Sequence, residues 1–142
     1  MAEHRILIVE DEPMIAMMVE DFLTELGWNV VGVAGALDQA LAMARDADID
    51  AALLDVNLKG RETFAAAGIL RERHIPFVFA TGYGANGIAD RFRDVPILTK
   101  PFQRDELDRV LHEAMTGAGC PEGRVADPGS RVAPGKTASP GC

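Results

Sequence analysis

A small set of charged and polar residues stands where apolar runs stop. Glu10-Asp11-Glu12 follows Ile6-Leu7-Ile8-Val9, and Asp55 follows the run at 51–54, with Asn57 two positions on. Thr81 follows residues 77–80, and Lys100 follows residues 95–99. Three carboxylates gathered in one place repel one another unless a cation is present. Hard oxygen ligands in a partly hydrated cluster suit Mg²⁺, which keeps several waters and takes one or two carboxylates directly. Such an ion neutralises the charge and leaves one carboxylate free as a nucleophile. A hydroxyl and an ammonium nearby then have a task, which is to hold the oxygens of a transferring phosphoryl group. Residues 1–116 hold nine arginines but only two lysines, Lys59 and Lys100. A lysine at the end of an apolar run supplies a compact point charge, which a guanidinium fork does not.

Each residue also has a plainer reading. Asp11 or Glu12 can simply cap a helix, and a lone Asp after a strand is a common turn starter. Thr81-Gly82 reads equally as a strand-end turn and Lys100-Pro101 as a loop. Their order at the ends of successive apolar runs is what joins them into one site. His4, His74 and His112 fall at a strand start, a helix end and a helix flank, and are expected at the surface. Trp28 and the Met14, Met17, Met18 group are expected to pack in the core and at the surface.

The elements that must position the site alternate between strand and helix. Residues 5–10 form a near-continuous apolar run, as in a strand buried on both faces. Pro13 then sits in the first turn of a helix, with Asp11 or Glu12 able to cap it. Ile15, Met18, Val19, Phe22, Leu23 and Leu26 share one face of that helix, and Gly27 stops it. Residues 29–33 make a second strand, and Leu37, Leu41 and Ala44 mark a second helix. A third strand covers 50–54, an alanine-rich helix covers 64–73 before Pro76, a fourth strand covers 77–80 and a weak fifth covers 95–98. A last helix runs over about 104–115, with Leu107, Val110, Leu111 and Ala114 on one face. This alternation predicts an α/β fold, a doubly wound parallel sheet covered on both sides. Its ligand site lies outside the carboxyl ends of the strands.

Composition limits what the chain can be. Of 142 residues, 48% are hydrophobic and 25% charged, the mix of one globular domain. Fourteen basic against 22 acidic residues give a net charge of −8, which argues against nucleic acid as a direct partner. No apolar run approaches the ~18 residues of a membrane span, and the first apolar stretch is too short for a signal-peptide core. Cys120 and Cys142 both lie near the end, so neither a disulfide nor a zinc site orders the body. A cytoplasmic protein is expected. Residues 117–142 hold six glycines and four prolines without an aromatic, a leucine or an isoleucine, and are expected to be a disordered tail after a folded body of residues 1–116. The tail carries +1, so the body carries about −9.

Four segments together resemble the receiver domain of two-component response regulators: residues 6–12, Leu53-Leu54-Asp55-Val56-Asn57-Leu58, Ala80-Thr81-Gly82, and Leu98-Thr99-Lys100-Pro101-Phe102. The resemblance covers residues 4–116. It implies a flavodoxin-like sheet of five strands in the order 2-1-3-4-5. It implies that Asp55 is the phosphoacceptor for a histidine kinase. Asp11, Asp55 and the backbone carbonyl of Asn57 would bind Mg²⁺, with Glu10 acting through water. Thr81 and Lys100 would contact the phosphoryl oxygens, and the Lys100–Pro101 peptide would be cis. Phe79-Ala80-Thr81-Gly82-Tyr83 is further similar to a subgroup of single-domain receivers named for a Phe-Ala-Thr-Gly-hydrophobic-Tyr motif. Here Tyr83 fills the hydrophobic slot, and Gly84 stands where the tyrosine would be. That subgroup implies a kinase of the HWE or a related class.

Two departures bear on switching. Ile97 replaces the aromatic residue expected three positions before Lys100, so the usual coupling of a hydroxyl to an aromatic cannot operate in its standard form. Lys100 follows Thr81 by only 19 positions, with Gly82, Gly84 and Gly87 between, so the fourth helix is expected to be short or mobile and to order on phosphorylation.

The expected function is that of a stand-alone receiver, which binds a partner, relays phosphate to a phosphotransfer protein or drains it as a sink. It would be no enzyme beyond catalysing its own phosphorylation and dephosphorylation. A pseudo-receiver scaffold is the alternative, against which the intact Glu10, Asp11, Asp55, Thr81 and Lys100 argue. A phosphatase of the haloacid dehalogenase type would need an aspartate where Asn57 stands. A flavin-binding protein would need a phosphate-cradling loop where Glu10-Asp11-Glu12 would repel the phosphate.

Overall fold

In the computed structural model, which describes residues 4–82 and 87–117, the chain alternates strand and helix as the apolar patterning predicts. The elements are β1 (Arg5–Val9), α1 (Pro13–Glu25), β2 (Asn29–Ala34), α2 (Leu37–Asp46), β3 (Ala51–Asp55), β4 (Asn57–Leu58), β5 (Arg61–Glu62), α3 (Phe64–Glu72), β6 (Phe77–Thr81), β7 (Ile97–Thr99) and α4 (Arg104–Gly117). Five strands form one parallel sheet in the order β2-β1-β3-β6-β7. This is the expected 2-1-3-4-5 order, with two numbers taken up by a small antiparallel hairpin, β4–β5.

Two-sided burial explains why the central strands read as unbroken apolar runs. Along β1, Leu7 and Val9 face the layer beneath α2 and α3, while Ile6 and Ile8 face the layer beneath α1 and α4. Leu54, Ala66, Leu70 and Phe79 fill the first layer; Leu23, Leu53, Leu107 and Leu111 fill the second. Removing each of these leucine and phenylalanine side chains from water contributes about 1.5–3 kcal/mol toward folding.

Local chemistry sets the boundaries. Pro13 opens α1, where its missing N–H leaves no helix bond unmade. Glu12 is the N-cap residue, but neither it nor Asp11 caps the helix with its side chain. That expectation is corrected by the position of Glu10, whose carboxylate accepts from the Glu12 N–H at 3.2 Å. Gly27, at φ 92°, ends the helix with a backbone twist that a side chain disfavours. Arg73, just past α3, donates to Ala44 O at 2.6 Å and Ala47 O at 2.9 Å, satisfying carbonyls at the end of α2. Trp28 lies beside His4 at the amino-terminal foot of the sheet, ring centroids 5.2 Å apart.

Among the described residues between β6 and β7 there is no α-helix; Asp90–Phe92 forms a turn of 3₁₀-helix. Phe92 is 1% exposed and meets Phe64, Phe77 and Phe79 edge-on or stacked at 5.7–6.0 Å. The Arg71 guanidinium lies 5.1 Å from the Phe92 ring centroid and donates to Arg91 O and to the Asp94 carboxylate. Residues 87–95 are therefore short, as the glycines predict, yet pinned at Phe92.

Candidate functional site

Parallel pairing brings the ends of β1, β3, β6 and β7 to one edge. The Glu10 N–H bonds to Ala34 O, the Val56 N–H to Ala80 O and the Lys100 N–H to Thr81 O, so each residue just past a strand is held by its neighbour. Glu10, Asp11, Asp55, Thr81 and Lys100 meet there. Glu10, Asp11 and Asp55 each offer a carboxylate oxygen within 4.8 Å of the other two. Lys100 Nζ donates to Glu10 Oε1 at 2.9 Å and lies 3.2 Å from Asp55 Oδ2. Glu10 is 5% exposed and Thr81 2%, whereas Asp11 and Asp55 are each partly exposed. The Lys100–Pro101 peptide is cis, as the resemblance implies.

The electrostatics follow from these distances. Burial is the main influence on Asp55 and raises its pKa to about 6; Lys100 opposes the rise, while Glu10 and Asp11 add to it. Burial works against the Lys100 ammonium, but the hydrogen bond to Glu10 and the nearby Asp55 charge outweigh it and hold its pKa above the usual lysine value. Three carboxylates against one ammonium leave a local excess of negative charge. That excess, in an all-oxygen donor set, fits a hard divalent cation such as Mg²⁺.

The β4–β5 hairpin ties the site together, and no periodicity announced it. Lys59 at φ 53° and Gly60 at φ 82° form its two-residue turn, the primed type that matches strand twist. The Lys59 N–H donates to Asp11 Oδ2 at 3.0 Å, so the tip of the hairpin reaches across to the end of β1. Asn57 Oδ1 accepts from the Gly60 N–H at 2.9 Å, which uses the side chain inside the turn. Thr63, also missed, donates its hydroxyl to Asp55 O at 2.7 Å. Thr63 precedes a helix and so reads as a cap; the one hint in the sequence is that it lies close after Asp55. Ile97 is half-buried opposite Phe79 in the β6–β7 pair and packs on the phenylalanine side of the sheet. Tyr83, the other residue of the expected switch region, lies outside the described residues, as do residues 118–142 of the expected tail.

The response regulator receiver domain profile matches residues 6–112, most of the chain and all four site-bearing strand ends. The chain belongs to the response regulator receiver family. Among solved structures, this receiver is similar to SdrG from Sphingomonas melonis Fr1, at 48% identity and a TM-score of 0.73, covering 81% of this chain and 99% of that one. It is also similar to the receiver domain of the sensor histidine kinase PA1611 from Pseudomonas aeruginosa PAO1, which was solved with a magnesium ion coordinated in its active-site cleft. That match has 29% identity and a TM-score of 0.70, over 81% of this chain and 99% of the other. The transcriptional regulatory protein PdtaR of Mycobacterium tuberculosis is 34% identical over 116 residues, covering 79% of this chain and 57% of PdtaR. The receiver thus spans about half the length of the curated relatives it matches.

Proposed function

We propose that this receiver accepts a phosphoryl group on Asp55 from the phosphohistidine of a histidine kinase or phosphotransfer protein. The observation that carries this reading is the placement of Asp55, half-buried at a strand end, 3.2 Å from Lys100 Nζ and beside two further carboxylates. A carboxylate oxygen of Asp55 forms the new P–O bond as the P–N bond of the donor breaks, and the electron pair returns to the donor's ring nitrogen. Lys100 pairs with a phosphoryl oxygen as its contact with Asp55 gives way, and Thr81 offers its hydroxyl to another. Asp11, Asp55 and the backbone carbonyl of Asn57 would hold Mg²⁺, with Glu10 acting through water. When bound, the ion offsets the charge of both the carboxylates and the incoming phosphoryl group. Water later cleaves the acyl phosphate and restores the carboxylate, so the chain acts on its own aspartate and is not an enzyme toward other substrates.

The phosphorylated form would then signal by protein contact, pass the group along a relay or drain it as a sink. The 48% identity with SdrG supports reading the chain as a receiver. An HWE-type kinase is the donor class that the motif at residues 79–83 favours. A cytoplasmic setting agrees with the lack, among the described residues, of any helix long and apolar enough to cross a membrane.

The test is intact-mass measurement after incubation with Mg²⁺ and acetyl phosphate. The wild type is expected to gain one phosphoryl group and Asp55→Asn none. A wild type that stays unmodified with acetyl phosphate and with candidate kinases would make the chain a pseudo-receiver scaffold.

A further inference from the structure

Thr63 is fully buried, and it is a polar side chain that the chemistry above does not use. It occupies the N-cap position of α3, where a threonine hydroxyl ordinarily accepts from the helix's own N–H groups. Here it makes no such bond. The hydroxyl instead turns back along the chain and donates to Asp55 O at 2.7 Å, with Val56 O a second acceptor at 3.3 Å. The Thr63 N–H donates to Val56 O at 3.0 Å. These bonds close the segment 56–63 at its base. Its tip is fixed separately, by the Lys59 N–H on Asp11 Oδ2. The eight-residue unit is therefore anchored at one end to the backbone of Asp55 and at the other to the carboxylate of Asp11, with Asn57 between.

We infer that Thr63 is a positioning residue for the phosphoacceptor: its hydroxyl fixes the Asp55–Val56 backbone, and through it the separation of Asp55, Asn57 and Asp11 at which cation and phosphoryl group are held. The inference rests on the reading of Asp55 given above. A buried donor on the acceptor's own carbonyl adds a second hold to the Asp55–Val56 peptide, whose N–H is already held by Ala80 O, and so steadies the backbone from which the Asp55 carboxylate projects toward Lys100 and Asp11. Outer-shell hydrogen bonds of this kind orient ligands without touching the ion.

The experiment uses the full chain as wild type, Thr63→Val, which keeps the shape and loses the hydroxyl, and Thr63→Ser, which keeps the hydroxyl and loses the methyl. Mg²⁺ affinity is read by calorimetric titration, adduct formation with acetyl phosphate at saturating Mg²⁺ by intact mass, and stability by thermal melting. Thr63→Val is expected to weaken Mg²⁺ binding about 10-fold, the scale for outer-shell partners, and to slow adduct formation several-fold. Thr63→Ser is expected to stay near wild type in both, even where its melting temperature is the lower of the two. Mg²⁺ affinity that follows melting temperature across the set, or that is unchanged in Thr63→Val, overturns the inference and leaves Asp55 as the acceptor. A wild type that neither binds Mg²⁺ nor gains a phosphoryl group overturns both. Should Thr63→Val not fold, Thr63→Cys replaces it: a thiol donates weakly, so its affinity must fall below that of Thr63→Ser.

Discussion

Lys100 Nζ donates to Glu10 Oε1 at 2.9 Å, across 90 positions of chain, and this bond is shorter than its 3.2 Å approach to Asp55. The lysine is thus anchored by the most buried carboxylate of the cluster, while the Asp55 side chain keeps 12% of its surface exposed.

Removing that lysine separates two roles. Lys100→Ala takes away the positive charge that pairs with Glu10 and Asp55, so Mg²⁺ is expected to bind several-fold more tightly. Adduct formation from acetyl phosphate is expected to fall by about 100-fold, the scale for losing a preorganised donor. Without Mg²⁺ the variant should be about 2–4 kcal/mol less stable at pH 7, because Glu10 is left buried and unpaired. Calorimetry, intact mass and urea unfolding read the three effects.

Asp55 sets a pH dependence of stability. Its folded pKa, about 6, lies above the ordinary 3.8. The unfolded chain therefore releases this proton at lower pH, and ionising Asp55 costs more in the folded state. The metal-free protein loses stability on this account as pH rises from 4 through 6, and the penalty is complete above that window. A shift of this size corresponds to about 3 kcal/mol in a dry site, and water reaching the carboxylate reduces it to roughly 1–2 kcal/mol. Asp55→Asn should stabilise the protein by that amount at pH 7–8 in EDTA and by nothing below pH 4. Urea midpoints that do not converge at low pH would refute this.

The hairpin turn makes opposite predictions at adjacent residues. Lys59 adopts φ 53° at a position that favours asparagine or glycine, so Lys59→Asn should stabilise by about 0.5 kcal/mol. Gly60 at φ 82° has open space around it, so Gly60→Ala fails only on backbone conformation and should cost about 1 kcal/mol. The Asn variant should retain Mg²⁺ affinity, because Asp11 accepts from the backbone of residue 59 and not from its side chain.

Phe92 holds the shortened segment between β6 and β7. Phe92→Ala should cost about 3 kcal/mol and markedly speed amide exchange across 87–95. Arg71→Ala should loosen the same amides while costing under about 1 kcal/mol, because the Arg71–Asp94 pair is largely solvent-exposed.

What the sequence made legible were features with a period or a boundary. Unbroken apolar runs marked β1, β3 and β6, and the residue after each was a site residue because parallel strands present their carboxyl ends on one edge; the weaker run at 95–98 placed Lys100 two positions on. The hairpin escaped because two-residue strands have no period, and because Lys59 at positive φ follows no turn signature. Thr63 escaped because its type and place suit a helix cap, and only three-dimensional packing turns its hydroxyl toward Asp55. Glu10, not Asp11 or Glu12, steadies the start of α1, because its burial beside Lys100 puts one carboxylate oxygen within reach of the Glu12 N–H.

Trp28, the one tryptophan in the chain, sits beside His4 at the foot of the sheet, whereas the carboxylates crown its head. A five-residue strand spans about 17 Å, and apolar packing fills that interval. Its emission should therefore report collapse of the whole fold and stay unchanged when a cation or phosphoryl group arrives. Optical work on the chemistry needs an introduced fluorophore near the hairpin, and native quenching by Mg²⁺ would instead reveal that the two ends of the sheet communicate.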